Sequence, residues 1–280
     1  MPDLAIAIGH IGFFALLGGA YALRSMLAGR VRHVRTESDG GSLFLHKSTM
    51  EMVYWILDPI ISFIAALRIT PNMVTLFSLV PAAGAGVAIG FGWFGLASVL
   101  AVIATFCDII DGLLARKLGT ASGAGEVIDA AVDRYGEMFL FGGLVYYYRG
   151  HDQVLFIVLG ALVGSFLVSY ATAKAEAMGV AAPRGAMRRA ERAAYIIAGS
   201  AFTPVFATVF STSPSLALKE LPIILALSII AVVSNLSVIQ RLMAIVEAVR
   251  AKESASANPV APFEPDAPIV SERDTPVGQL

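Results

Sequence analysis

The chain has 280 residues, of which 57% are hydrophobic and 15% are charged. Because about a quarter of the residues in a soluble domain are charged, this composition indicates an integral membrane protein. The net charge of −1 gives no support for a nucleic-acid partner. The single cysteine, Cys107, excludes an internal disulfide and a zinc site built on cysteines.

Seven apolar stretches are long enough to cross roughly 30 Å of bilayer hydrocarbon as helices. Their hydrophobicity is continuous rather than alternating, which predicts an all-α membrane protein. The predicted spans are residues 4–26, 71–92, 94–117, 125–148, 153–178, 190–211 and 220–246. We predict that the first is an extra N-terminal transmembrane helix within residues 1–28, and that the other six form a core over residues 68–250.

Residues 29–67, between the first two spans, predict a polar loop followed by an interfacial helix. Tyr54 and Trp55 stand there with charged residues among aliphatic ones, which is typical of an amphipathic helix on the bilayer surface. Pro59 predicts a break in this helix next to Asp58. A further transmembrane span is the alternative. Residues 251–280 are rich in proline, serine, alanine and acidic residues, and predict a disordered cytoplasmic tail.

The distribution of basic residues sets the predicted orientation. If the connections at 117–124 and 174–192 are cytoplasmic, only Arg149 and Lys219 of the 20 lysines and arginines lie in loops on the other side. We expect a protein of the bacterial inner membrane, and the distribution of basic residues predicts that its functional face meets the cytoplasm. Its N-terminus would lie outside and its C-terminus inside.

Four aspartates interrupt the apolar sequence of two neighbouring spans. Asp108 and Asp111 lie three residues apart at the end of one span, and Asp129 and Asp133 lie four apart near the start of the next. Each spacing puts both side chains on one helix face, so two helices can direct four carboxylates at one point. Such a cluster requires cations, and oxygen ligands favour one or two Mg²⁺ or Mn²⁺ ions.

A carboxylate site with paired divalent ions suits phosphoryl transfer, because the cations bind a diphosphate and stabilise the leaving group. Gly112 and Gly125 leave room for a substrate beside the acids, and Arg116 supplies a fixed cation for a phosphate. Two other interpretations stay open at this point. The acids are helix-end charges paired with Arg116, Lys117 and Arg134, or they bind ions in a transporter.

The spacing of these residues resembles the signature of the CDP-alcohol phosphotransferase family. The pattern Asp-x2-Asp-Gly-x2-Ala-Arg-x8-Gly-x3-Asp-x3-Asp is met at each fixed position by Asp108, Asp111, Gly112, Ala115, Arg116, Gly125, Asp129 and Asp133. The segment from Thr70 to Thr75 is similar to the Pro-Asn-x-x-Thr that opens the first core helix of this family. The residues themselves make Thr70 an N-cap and place Pro71 in the first helical turn.

This resemblance implies a transfer between a CDP-linked donor and an alcohol, with release of CMP. It implies that Asp108, Asp111 and Asp129 hold two metal ions. Asp133 would be a further ligand and the base that accepts the proton of the acceptor hydroxyl. The residues implied to lie at the nucleotide are Asn72, Thr75, Gly112, Ala115, Arg116 and Gly125. The family also implies a homodimer, with which the small-residue helix faces are compatible.

A basic cluster further along the chain is the candidate acceptor site, and it consists of Lys174, Arg184, Arg188, Arg189 and Arg192. These residues either bind an anionic alcohol or follow the positive-inside bias and meet lipid headgroups. The segment Ser169–Tyr195 resembles the bacterial phosphatidylinositol-phosphate synthase subgroup, with Thr172 in place of a basic residue. We favour CDP-diacylglycerol as donor and a small polar alcohol as acceptor. The alternative is a small CDP-alcohol of the ethanolamine or choline type with diacylglycerol as acceptor.

Overall fold

The computed structural model describes residues 2–28, 47–181 and 187–257 of the chain. Within these ranges it contains nine helices and no strand, which confirms the all-α prediction. In chain order the helices are α1 (Pro2–Ala28), α2 (Lys47–Ala66), α3 (Pro71–Gly90), α4 (Phe94–Lys117), α5 (Gly123–Tyr147), α6 (Asp152–Ala177), α7 (Arg189–Val209), α8 (Leu216–Lys219) and α9 (Leu221–Ala257). Residues 29–46, the first part of the segment 29–67 predicted as a polar loop and an interfacial helix, lie outside the described residues, as does the chain from residue 258 onward.

Six helices in the described part of the chain are long and apolar enough to cross a membrane, namely α1, α3, α4, α6, α7 and α9. The seventh predicted span is α5, whose 25 residues are also sufficient in length. The side chains of Asp133 and Glu137 on α5 are only 11% exposed, so these charges point into the bundle rather than toward lipid. α2 is not among the six, and its interfacial position stays a prediction.

Polar contacts fix α1 to α4. The Asp3 carboxylate accepts hydrogen bonds from the backbone N–H groups of Gly95 (3.0 Å) and Leu96 (2.9 Å) in the first turn of α4. Those N–H groups have no partner within their own helix. Further along α1, the side chains of His10 and Ser98 form a hydrogen bond of 2.6 Å. α1 therefore runs parallel to α4 and is attached to it at two depths.

The helix α2 is continuous through Pro59, so the predicted break at this residue is wrong. An interior proline costs roughly 3 kcal/mol of helix stability. The fully buried Leu57 of α2 packs in a cluster with Leu114 of α4, and we attribute the continuity of the helix to this packing. Lys117 at the end of α4 also donates a hydrogen bond of 2.6 Å to the Ser62 hydroxyl. These contacts hold α2 beside the end of α4.

The helices α3 and α5 run parallel and meet through their backbones. A Cβ atom added at Gly86 would lie 2.2 Å from the carbonyl oxygen of Phe139, and one added at Gly143 would lie 2.1 Å from the carbonyl oxygen of Gly86. The intervening helix, α4, packs on α3 and runs in the opposite direction. The start of α3, the end of α4 and the start of α5 therefore share one end of the bundle.

Gly143→Ala is expected to lower the free energy of unfolding by about 3 kcal/mol, because the new methyl group must separate α3 from α5. The measurement is thermal unfolding of the purified protein in detergent micelles. Gly142→Ala is the matched control, since a Cβ there meets no atom within 4 Å. Equal melting temperatures for the two variants would contradict the backbone contact.

The last helix extends beyond its predicted span. α9 ends at Ala257, so residues 251–257 are helical and do not belong to a disordered tail, which corrects that part of the prediction. Lys252 donates a hydrogen bond of 3.1 Å to the Met178 carbonyl at the end of α6. This tertiary contact accounts for helix after residue 250, where composition alone predicts none.

Candidate active site

Carboxylates from α4 and α5 converge at the end of the bundle that these helices share. Asp108 and Asp111 lie in the last turns of α4, and Asp129 lies in the second turn of α5. One carboxylate oxygen of each lies within 4.8 Å of those of the other two. The structure thus brings three of the four motif aspartates together. We call Asp108, Asp111 and Asp129 the aspartate triad.

The aspartate triad suits a divalent cation. Asp111 Oδ2 and Asp129 Oδ1 are buried and have no hydrogen-bond partner among the described residues. Buried carboxylate oxygens are costly unless a cation or a donor approaches them. The ligand set contains only oxygen atoms, which favours Mg²⁺ or Mn²⁺ over zinc. The residues present therefore fit the ions that the sequence predicts.

The fourth motif aspartate, Asp133, lies beside the aspartate triad and pairs with arginine. Arg189, at the start of α7, places Nη1 2.7 Å from Asp108 Oδ1 and Nη2 2.5 Å from Asp133 Oδ1. Arg134 Nη2 lies 3.9 Å from Asp133 Oδ2. The sequence places Arg189 in the acceptor cluster, and the structure puts its guanidinium in direct contact with two of the motif aspartates.

Glu137, one turn after Asp133 on α5, connects Arg134 with one further arginine, Arg192. Its carboxylate lies 3.3 Å from Arg134 Nη1 and 2.5 Å from Arg192 Nη2. Arg192 is only 2% exposed, and Arg134 also donates a hydrogen bond to the Ser169 hydroxyl of α6. This network links α5, α6 and α7, and hydrogen-bonded networks of this kind restrict the positions of their members.

A cavity of about 810 Å³ borders Asp111 and Asp129, and we call it the nucleotide cavity. All six residues that the family resemblance places at the nucleotide line it, namely Asn72, Thr75, Gly112, Ala115, Arg116 and Gly125. The Ser122 hydroxyl caps α5 by accepting a hydrogen bond of 3.2 Å from the Gly125 N–H. A Cβ at Gly125 would lie 3.3 Å from that hydroxyl oxygen, so glycine keeps both the cap and the cavity clear.

The sequence analysis does not single out four other polar residues of this cavity, Arg68, Thr120, Ser122 and Glu126. Ser122 carries a recognisable signal, because a serine just before a predicted helix is a common N-cap. Arg68 has no such signal, since it lies in the short connection between α2 and α3. The Thr70 hydroxyl in the same connection caps α3 by accepting a hydrogen bond of 3.4 Å from the Met73 N–H, as predicted.

A second cavity, of about 700 Å³, is lined by part of the predicted acceptor cluster, and we call it the arginine cavity. Its charged and hydroxyl-bearing lining residues are Arg134, Ser169, Tyr170, Thr172, Glu176, Arg188, Arg189, Arg192 and Arg241. Lys174, which the sequence groups with these arginines, is exposed and does not line this cavity. Arg184 lies outside the described residues.

Arg241 of α9 is a residue of the arginine cavity that the sequence analysis does not assign to a site. It is 7% exposed and donates a hydrogen bond of 2.7 Å to the Thr172 hydroxyl. In the sequence it opens a basic stretch near the end of α9, which the positive-inside bias explains without a site. Its position within the predicted span 220–246 is the signal that could have identified it, because a charge inside a membrane span usually has a functional reason.

The fold and the site define a class of protein, an all-helical membrane enzyme with a carboxylate centre beside two polar cavities. The chain belongs to the CDP-alcohol phosphatidyltransferase family, whose model matches residues 68–218. It is therefore a transferase of phospholipid biosynthesis.

Two bacterial relatives illustrate the similarity. An uncharacterized protein of Aquifex aeolicus is 30% identical over 189 residues, which cover 59% of this chain and 93% of the relative. A phosphatidylinositol phosphate synthase of Cutibacterium acnes is 33% identical over 141 residues, which cover 49% of this chain and 68% of the relative.

The fold is similar to that of the phosphatidylinositol phosphate synthase of Mycobacterium tuberculosis. The structure of that protein with CDP-DAG bound matches with a TM-score of 0.57 and 25% identity, over 67% of this chain and 92% of the other. Its structure with manganese and citrate matches with a TM-score of 0.58 and 25% identity, over 67% and 87% of the two chains.

Proposed function

We propose that this protein transfers a phosphatidyl group from CDP-diacylglycerol to a small polar alcohol and releases CMP. One observation carries the proposal, namely that the motif aspartates line the nucleotide cavity and also contact a residue of the arginine cavity. Asp111 and Asp129 line the nucleotide cavity, while Arg189, which is paired with Asp108 and Asp133, lines the arginine cavity. A donor in the first cavity and an acceptor in the second would meet at the aspartates. The similarity to a protein solved with CDP-DAG supports this placement of the donor.

In this reaction the acceptor hydroxyl oxygen bonds to the phosphorus nearest the diacylglycerol. The bond from that phosphorus to the bridging oxygen of the diphosphate breaks, and its electron pair leaves with CMP. The hydroxyl proton passes to a carboxylate oxygen of Asp133. Asp133 suits this role because its contact with Arg189 places it next to the arginine cavity. Arg189 and Arg134 hold the carboxylate in place.

The aspartate triad holds the divalent ions in this proposal, with Asp133 as a further ligand. When bound, Mg²⁺ or Mn²⁺ neutralises the diphosphate and stabilises the charge that develops on CMP. The similarity to a protein solved with manganese supports this choice of ion. Asn72, Thr75 and Arg116 contact the nucleotide and its phosphates, and the small residues Gly112, Ala115 and Gly125 leave space for them.

The acceptor proposed for the arginine cavity is an alcohol that carries an anionic group, of the inositol phosphate type. Arg188, Arg189, Arg192 and Arg241 all line this cavity, and arginine binds phosphate oxygens in bidentate geometry. Two of these guanidinium groups, those of Arg192 and Arg241, retain a buried Nε without a partner among the described residues. A buried donor of this kind favours an anionic ligand over a neutral one.

The experiment is an acceptor panel with purified protein, Mn²⁺ and CDP-diacylglycerol. The acceptors are inositol phosphate, inositol, glycerol phosphate and serine, and both CMP and the lipid product are measured. We expect CMP and a phosphatidylated product with inositol phosphate, and slower or no turnover with neutral inositol.

Other outcomes of the panel would change the proposal. Turnover of CDP-ethanolamine or CDP-choline with diacylglycerol, and none of CDP-diacylglycerol, would reverse which substrate carries the lipid. The absence of CMP release with every pair of substrates would reject the proposed reaction.

We also propose that the aspartates face the cytoplasm from a bacterial inner membrane. Arg116, Lys117 and Arg134 lie near the aspartates, whereas Arg149 follows the other end of α5 and Lys219 lies just before the start of α9. The positive-inside bias then places the aspartate end inside.

In intact cells, a membrane-impermeant maleimide is expected to label Lys219→Cys and not Lys252→Cys, because only residue 219 would face outward. After cell lysis both variants should react, which controls for accessibility. Labelling of Lys252→Cys alone in intact cells would reverse the orientation. The predicted homodimer stays a prediction, and light scattering of the protein in detergent would test it.

A further inference from the structure

The backbone of Arg68 has a conformation that the chain otherwise gives to glycine. Its φ is 58°, the one positive value at a non-glycine residue among those described. Arg68 is the second residue after α2, and its N–H donates a hydrogen bond of 3.1 Å to the carbonyl of Ala65. Glycine normally fills such a position, since a Cβ in the left-handed region is strained.

Three other helix ends in the described chain show the same arrangement with glycine. Gly92, Gly119 and Gly179 are the second residues after α3, α4 and α6, with φ values of 77°, 66° and 63°. The N–H of each donates to the carbonyl three residues earlier, as that of Arg68 does. An arginine at the fourth such turn is therefore not explained by the turn itself. Strained backbone that persists at one position suggests that the side chain has a function there.

The side chain of Arg68 lies where an anionic ligand would benefit from it. It is exposed and lines the nucleotide cavity with Arg116 and the two aspartates of that cavity. No hydrogen bond or ion pair joins its guanidinium to any other residue in the described ranges. The carboxylates of this cavity repel phosphate oxygens unless a cation intervenes, whereas a guanidinium binds them directly.

We propose that Arg68 is a further substrate-binding residue, whose guanidinium contacts the diphosphate of the nucleotide-linked donor. It approaches from the α2–α3 connection, while Arg116 approaches from α4. This inference rests on the proposed function, because it assumes that a cytidine diphosphate occupies the nucleotide cavity. It adds a contact outside the aspartate motif and gives α2 a part in donor binding, since Arg68 lies in the turn that ends this helix.

Glycine is the informative substitution because it removes the guanidinium and also removes the strain of the left-handed backbone conformation. Arg68→Gly is expected to melt at the same temperature as the wild type or higher, while its affinity for CDP falls about tenfold. Arg68→Gln keeps the strained backbone and should lose a similar factor of affinity. Arg68→Lys keeps the positive charge and should lose less of the affinity for CDP. Calorimetric titration of CDP, CMP and cytidine into the full chain with Mn²⁺ measures these affinities.

The choice of ligands and a control variant make the inference testable by itself. Affinity for cytidine, which lacks phosphates, should be equal in wild type and Arg68→Gly. Arg149→Gln removes an exposed positive charge just after the far end of α5, which does not line the cavity, and its CDP affinity should match that of the wild type. If the wild type binds CDP and Arg68→Gly binds it equally well, Arg68 only terminates α2 and the inference fails alone. If the wild type binds no CDP, the proposed function fails with it.

Discussion

Asp133→Asn is expected to reduce CMP release by about 100- to 10,000-fold, while the affinity for CDP-diacylglycerol stays close to that of the wild type. The amide keeps the shape of the carboxylate but cannot accept the hydroxyl proton, and general bases contribute about 100- to 10,000-fold to rates. Steady-state CMP release gives the rate, and equilibrium binding of CDP-diacylglycerol gives the affinity.

Two further variants sharpen this result. Asp133→Glu keeps a carboxylate but displaces it by one methylene group, so it should retain more activity than the asparagine variant. Asp58→Asn removes an exposed carboxylate of α2 that lines neither cavity, and its rate should equal that of the wild type. Appreciable CMP release by Asp133→Asn would remove Asp133 from the role of base.

Asp111→Asn is expected to weaken Mn²⁺ binding by at least about 100-fold. Loss of a residue that only supports a metal ligand costs about 10- to 100-fold in affinity, and a direct ligand should cost no less. Asp111 is 5% exposed, so water cannot easily take over from its carboxylate. Mn²⁺ binding is measured by electron paramagnetic resonance of the free ion, a readout that does not depend on turnover.

Asp152→Asn is the matched control for metal binding, because Asp152 is an exposed carboxylate at the start of α6 and lies outside the aspartate triad. Its Mn²⁺ affinity should equal that of the wild type. Unchanged Mn²⁺ binding in Asp111→Asn would mean that the aspartate triad is not the metal site. If the wild-type protein binds Mn²⁺ but releases no CMP, the metal site is correct and the proposed donor or acceptor is wrong.

The convergence of the aspartates could be predicted from the sequence because local rules suffice for it. Spacings of three and four residues put each pair on one helix face. The connection between α4 and α5 is only a few residues long, so the end of one helix must lie near the start of the next. The short turn between α3 and α4 makes these helices antiparallel, so the start of α3 lies beside the end of α4. This places Asn72 and Thr75 near the aspartates.

The arginine contacts could not be predicted because they join distant parts of the chain. Arg189 and Asp108 are 81 residues apart, and Arg241 and Thr172 are 69 apart. The periodicity of apolar residues within one helix does not predict which other helix its arginines will contact. The same limitation explains the errors at Pro59 and at the end of α9, where contacts with other helices override local helix propensity.

The backbone contact between Gly86 and Gly143 has a consequence for how this enzyme can acquire new substrates. The separation of α3 and α5 is fixed by main-chain atoms, so exchanging side chains along the nucleotide cavity leaves its walls at the same distance. Evolution or redesign can therefore alter which donor is accepted by changing lining residues one at a time. The distance between α3 and α5 cannot be adjusted in this way, because any larger residue at Gly86 or Gly143 would force the two helices apart.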